Sequence, residues 1–159
     1  MAMAHDTAQL EQLYTRHVDM LYRVCFTYMK NPGDTEDAVQ DTFMKYIRSH
    51  PSLGGAEHEK AWLIRAAVNV CKDALRRHSR KNEPLEDDLP GGRRAEPGDL
   101  REAVLALPEK YKAVVYLFYY EGYASEEIAR MLRKPGSTVR NHLSEARRIL
   151  KTQLGGDLE

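Results

Sequence analysis

The chain has 159 residues, enough for one ordinary domain or two small ones. Its 24 basic and 24 acidic side chains cancel to a formal charge of zero, which taken alone argues against a nucleic-acid binder. Two cysteines without CxxC spacing argue against a disulfide scaffold or a thiolate metal site, and no apolar run approaches the ~18 residues of a membrane span.

The charge average hides two basic islands. Lys60 to Lys81 holds seven basic residues against one acid, Asp73, and Arg130 to Lys151 holds seven against Glu145. The acids sit elsewhere, in the first fifty residues, in "NEPLEDDLPGG" and at Glu121, Glu126 and Glu127. Two separate anionic contacts, or two solvated helix faces, would produce this pattern. The N-terminal "MAMAHDTAQLEQ" has neither the basic nor the apolar part of a signal peptide, so a soluble, cytoplasmic protein with reduced thiols is expected.

Strand patterns are nearly absent. A first helix is predicted from Thr7 to Lys30, with Leu10, Leu13, Tyr14, Leu21, Val24, Cys25 and Tyr28 on one stripe, stopped by "NPG". A second, Asp34–Ser49, turns Val39, Phe43, Tyr46 and Ile47 inward and carries its acids in the first turns, where the helix dipole favours them. Its outward face, Asp37, Gln40, Asp41, Met44 and Arg48, suits a basic protein helix or plain solvent. The Pro and Gly residues of "HPSLGGAEHEK" mark a loop. A third helix, Glu59–His78, buries Leu63, Ala66, Ala67, Val70, Cys71 and Ala74. Opposite that stripe lie Trp62, Arg65, Asn69, Lys72 and Arg76. An indole, an amide and several cations on one face suit unstacked bases, although a lone Trp on a helix also serves as a packing residue.

From Ser79 to Pro97 the chain is polar and rich in Pro and Gly, which reads as a linker. Four short helices follow, Leu100–Leu107, Glu109–Tyr120, Ser125–Arg133 and Ser137–Gln153. In the last pair Ser125 and Ser137 are the expected caps, and "RKPG" is the break. Ile128, Ala129 and Leu132 point inward, as do Val139, Leu143, Ala146, Ile149 and Leu150. The outward set on the last helix is Thr138, Arg140, Asn141, Ser144, Glu145, Arg147, Arg148 and Lys151. This is the layout of a helix-turn-helix. Arg pairs with guanine, Asn with adenine, and Glu accepts from cytosine, while the distal cations suit phosphates. No nucleophile with its base, phosphate-cradling Gly loop or metal cluster is legible, so neither an enzyme nor a cofactor or small-molecule substrate is expected. The six histidines are scattered.

"DTEDAVQDTFMKYI", "AWLIRAAVNVCKDALRR" and "LPEKYKAVVYLFYYEGYASEEIARMLRKPGSTVRNHLSEARRIL", in that order, resemble a bacterial RNA polymerase sigma factor of the sigma-70 family, extracytoplasmic-function type. The resemblance covers residues 7–80 and 99–154. It implies an all-α fold of two small domains: residues 1–80 as region 2, 81–98 as a flexible linker, and 99–159 as region 4. Region 2 would dock on the coiled coil of the largest polymerase subunit through Asp37, Gln40, Asp41 and Met44. It would also recognise the −10 promoter element through Trp62, Arg65, Asn69, Lys72, Arg76 and Arg77, with a flipped base between the 51–59 loop and the third helix. Region 4 would meet the polymerase flap and read the −35 element through Thr138, Arg140, Asn141, Ser144, Glu145, Arg147 and Arg148. The acids of "EDD" would thread toward the active-site channel, and an anti-sigma factor would be a further partner.

The family usually writes Gly-Thr-Val followed by Lys or Arg, Ser and Arg, where this chain has "STVRNHL"; "SEAR" stands where "HRAR" is common. These departures imply a −35 sequence of its own, or weaker binding there. The rival readings are a conventional helix-turn-helix regulator that never enters polymerase, and a protein-interaction module such as an anti-sigma decoy.

Overall fold

In the computed structural model, residues 7–80 and 100–154 are described. They are helical and contain no strand. The chain divides into two compact units near Arg76 and Arg77. The linker expected at 81–98, with its "EDD" acids, lies outside the described residues.

The first unit holds three helices, α1 (Thr7–Met29), α2 (Pro32–Ser49) and α3 (Ala56–Arg80). Helix α1 ends because Lys30 takes a left-handed conformation, φ 70°, while its N–H still donates to Phe26 O at 2.9 Å. The "NPG" expected to stop α1 in fact starts α2. Asn31 Oδ1 accepts from Asp34 N at 2.9 Å and Asn31 Nδ2 donates to the Asp34 carboxylate at 2.9 Å, so one amide satisfies an orphan donor and fixes an acid at the positive helix end. Pro32 follows at the first helical position, where its missing N–H costs nothing. Helix α2 closes on His50, φ 47°, whose N–H donates to Tyr46 O.

The core of this unit is Leu21, Cys25, Leu63, Ile64, Ala67 and Cys71, all fully buried, with Tyr28 and Met29 beside them. Each large apolar side chain so buried contributes about 1.5–3 kcal/mol. Both cysteines are free thiols. Four expectations fail. Tyr14 is half exposed and lies against Phe43 at 4.9 Å, Ile47 faces outward, and Leu10 and Ala74 are only partly covered. Each sits at the edge of its apolar stripe, where a few tens of degrees about the helix axis decide burial.

The second unit comprises α4 (Leu100–Leu105), α5 (Glu109–Val115) with a π-helical turn at Tyr116–Tyr120, α6 (Ser125–Leu132) and α7 (Gly136–Gln153). Helix α7 packs against α4, α5 and α6. The core is Val114, Val115, Leu117, Ile128, Val139, Ala146 and Leu150, while Leu132 and Ile149, expected inward, are only partly covered at the edges of their stripes. Lys112 is buried with them, and its ammonium donates to Leu105 O at 3.0 Å, placing a cation on the carbonyl end of α4.

Neither expected serine cap forms. Ala124 and Pro135 are the N-cap residues, and Ser125 and Ser137 lie one and two places inside their helices. Glu127 Oε1 instead accepts from Ala124 N at 2.8 Å, satisfying that end of α6. Helix α6 ends in a Schellman arrangement, Lys134 N to Ala129 O and Arg133 N to Arg130 O, with Arg133 left-handed at φ 56°. Pro135 then cannot continue the helix, and the chain turns into α7.

Candidate nucleic-acid interface

On α3, residues at intervals of three and four bring Trp62, Arg65, Asn69, Lys72 and Arg76 to one face. Asn69, Arg76 and Arg77 are exposed, while Trp62, Arg65 and Lys72 are half-buried. Trp62 both packs and shows: its ring stands edge-on to Tyr46, centroids 5.5 Å apart at 84°, with part of the indole left at the surface. Arg76 is ion-paired with Asp73 one turn back. That exposed pair contributes little to stability and holds the guanidinium close to the helix.

The loop before α3 is shaped by two glycines. Gly54 N donates to His58 Nδ1 at 3.2 Å, and a Cβ on Gly54 would fall 2.9 Å from that same nitrogen. Gly55 follows at φ 139°, a conformation L side chains rarely adopt. The imidazole therefore holds the loop back against the start of α3.

A further cluster supports this helix. Glu59 Oε1 accepts from Arg16 Nη1 at 2.6 Å and from His17 Nε2 at 2.7 Å, tying α3 to α1. His17 is only 5% exposed. The Tyr46 hydroxyl is pushed above its usual 10.0, first by burial and then by the Glu59 charge. Sequence reading missed these groups because Glu59 and its partners are 42 and 43 residues apart and belong to no common period. Replacing Glu59 with Ala is expected to destabilise the first unit by about 1–3 kcal/mol, because the buried imidazole loses its acceptor. Urea unfolding followed by fluorescence of Trp62, the chain's one tryptophan, checks this; an unshifted midpoint would refute it.

On α2, Asp37, Gln40, Asp41 and Met44 are all exposed on one side, Met44 at 46%. Ile47, at 37%, joins them. The face is thus two carboxylates and an amide around two apolar side chains.

On α7, Arg140, Asn141, Ser144, Arg147 and Arg148 are exposed and Thr138 is half-buried at the N-terminal end. The Arg140 guanidinium folds back so that a Cβ on Gly136 would lie 3.1 Å from it. Glu145 is half-buried, and its Oε1 accepts from Tyr111 Oη at 2.8 Å. His142 meets the same Tyr111 ring edge-on at 5.5 Å. Arg147 Nε donates to Tyr119 Oη at 3.2 Å. Tyr111 and Tyr119 carried no signal in the sequence beyond their aromaticity.

Among the described residues no group of three or more His, Cys, Asp or Glu is arranged to hold a metal ion, and no helix is long and apolar enough to cross a membrane. A helix-turn-helix in one unit and a cationic helix with an indole in the other define the class, an all-α protein of two small modules. The Sigma-70 region 2 family matches residues 13–81, and the Sigma-70, region 4 family matches residues 98–150. The chain belongs to the sigma-70 family of RNA polymerase sigma factors. It is 31% identical over 153 residues to RNA polymerase sigma factor SigV of Bacillus subtilis, covering 92% of each chain. It is 31% identical over 158 residues to ECF RNA polymerase sigma factor SigM of Mycobacterium tuberculosis, covering 96% of this chain and 81% of that one. Two solved structures share the fold. One is the sigma factor RpoE in complex with the anti-sigma factor NepR from Bartonella quintana (TM-score 0.72, 21% identity, 92% of this chain and 97% of that one). The other is CnrH in complex with the cytosolic domain of CnrY (TM-score 0.70, 22% identity, 98% and 93%).

Proposed function

We propose that this chain works in the cytoplasm as a dissociable initiation factor, with residues 1–80 and 99–159 as its two working domains and 81–98 as their tether. As a sigma factor of the extracytoplasmic-function type, it binds core RNA polymerase and directs transcription from promoters. The observation that carries this reading is the ordered pair of region 2 and region 4 matches along one chain. A conventional regulator would need only the helix-turn-helix and would leave the acidic-apolar α2 face and the α3 face without a task. The factor's own contribution is binding and strand separation, and RNA synthesis belongs to the polymerase.

In this reading Asp37, Gln40, Asp41 and Met44 dock on the coiled coil of the largest polymerase subunit, the carboxylates meeting a basic helix and Met44 the apolar centre of the contact. Trp62, Arg65, Asn69, Lys72, Arg76 and Arg77 receive the −10 element. The half-buried indole suits stacking through what it leaves at the surface, the Asn69 amide suits a base edge, and the cations suit the backbone. Thr138, Arg140, Asn141, Ser144, Glu145, Arg147 and Arg148 form the −35 surface, with Arg140 and Asn141, just after Thr138, the exposed pair toward the end of α7 that enters the groove. Ala substitution of either is expected to cost about 1–3 kcal/mol and to relax preference at one base position. Competition binding across a panel of single-base −35 variants reads this, and a loss equal for all sequences would reassign the residue to phosphate.

The partners follow from the class: core polymerase, including its flap, promoter DNA, and an anti-sigma factor. Of the two solved structures that share the fold, RpoE is held by the anti-sigma factor NepR and CnrH by the cytosolic domain of CnrY. Run-off transcription with core polymerase on a library of genomic fragments tests the whole proposal. Initiation at defined sites, absent with core alone, is expected. DNA retention without initiation would mean a plain regulator instead.

A further inference from the structure

Two phenols from one segment of the second unit reach the outward side of α7. Tyr111, on α5, bonds Glu145 and stands edge-on to His142; Tyr119, in the π-helical turn, accepts from Arg147 Nε at 3.2 Å. Tyr119 lies within the π-turn, where Glu121 N reaches back five residues to Tyr116 O instead of the four of an α-helix. The half-buried Tyr119 ring meets its neighbour Phe118 edge-on, centroids 5.0 Å apart, which narrows the positions open to its hydroxyl. Arg147 is exposed and would otherwise sample many rotamers. Its Nε–H is taken by the phenol, which leaves the two terminal nitrogens as an oriented fork. A planar fork of N–H donors matches a phosphate bidentately, and fixing it beforehand lowers the entropy lost on binding.

We infer that Tyr119 is a positioning residue for promoter binding, presetting the Arg147 guanidinium for a backbone phosphate beside the −35 element. The inference rests on the proposed −35 role of α7, and it requires no base contact by Tyr119 or Tyr111.

The test uses holoenzyme made with full-length chain and a −35 promoter fragment, titrated over a range of salt concentrations. Tyr119→Phe keeps the ring against Phe118 and removes only the acceptor, so the unit folds as before. Its affinity is expected to fall about three- to tenfold, evenly across −35 sequences, with the salt slope unchanged. Arg147→Ala should lower affinity and reduce the salt slope by about 1. Adding Tyr119→Phe to Arg147→Ala should then change nothing further, since the phenol acts through the arginine. Arg147→Ala weakening binding while Tyr119→Phe does not would overturn the inference and leave the −35 reading standing. The same Tyr119→Phe loss in both backgrounds would also overturn it, placing the phenol's effect elsewhere. No loss from Arg147→Ala would overturn both the inference and the phosphate role of Arg147.

Discussion

Reversing two charges on α2, Asp37→Arg with Asp41→Arg, is expected to abolish association with core polymerase, weakening it by at least about a hundredfold. Both carboxylates are exposed and one turn apart on the face that also carries Met44. If that face meets a basic coiled coil, each reversal exchanges an attraction for a like-charge contact, and such contacts cost several kcal/mol in an interface. Neither side chain supports the fold: α2 is capped by Asn31 and buried through Ala38, Val39, Phe43 and Tyr46, none of which is touched. Helix content by circular dichroism should therefore be unchanged. Co-elution with core polymerase on size exclusion is the deciding measurement, and retained co-elution would move the docking surface off this face. Met44→Ala, which leaves charge intact, should weaken binding less and with little salt dependence.

The second large effect is expected at Asn69. Asn69→Ala should lower promoter opening by about 1–3 kcal/mol, roughly five- to 150-fold, while polymerase affinity stays the same. The amide is exposed in the middle of the α3 face and plays no part in the core, so its loss reads on DNA alone. Permanganate reactivity of unpaired thymines in the holoenzyme–promoter complex measures opening, and a separate titration measures assembly. Equal losses in both would remove Asn69 from the −10 surface. The loop before α3 is set by Gly54, Gly55 and His58, and the start of the helix is tied to α1 through Glu59, so none of these contacts involves the Asn69 amide.

Helix ends are not placed by cap-forming residue types alone. "NPG" punctuates the chain, but whether it ends one helix or begins the next depends on where the amide of Asn31 points, and it points forward to Asp34. Ser125 and Ser137 are residue types that favour caps, yet Glu127 and the extended backbone of Pro135 displaced both starts by one or two residues. Cap propensity is worth about 1 kcal/mol, small beside the packing of Ile128 and Val139 that sets where each helix lies.

The residue pattern alone determined the helical class, the apolar stripes of α1, α3 and α7, the turn between α6 and α7, and which cations share a face. These are period-3.6 properties, written in neighbours three and four places apart. Tertiary structure alone decided which polar groups hold those faces in place. Glu59 between Arg16 and His17, Tyr111 on Glu145, Tyr119 on Arg147 and the buried Lys112 on the end of α4 each join different elements, most of them 28 to 43 residues apart. No local period encodes such pairs, because their partners are chosen by how whole helices pack.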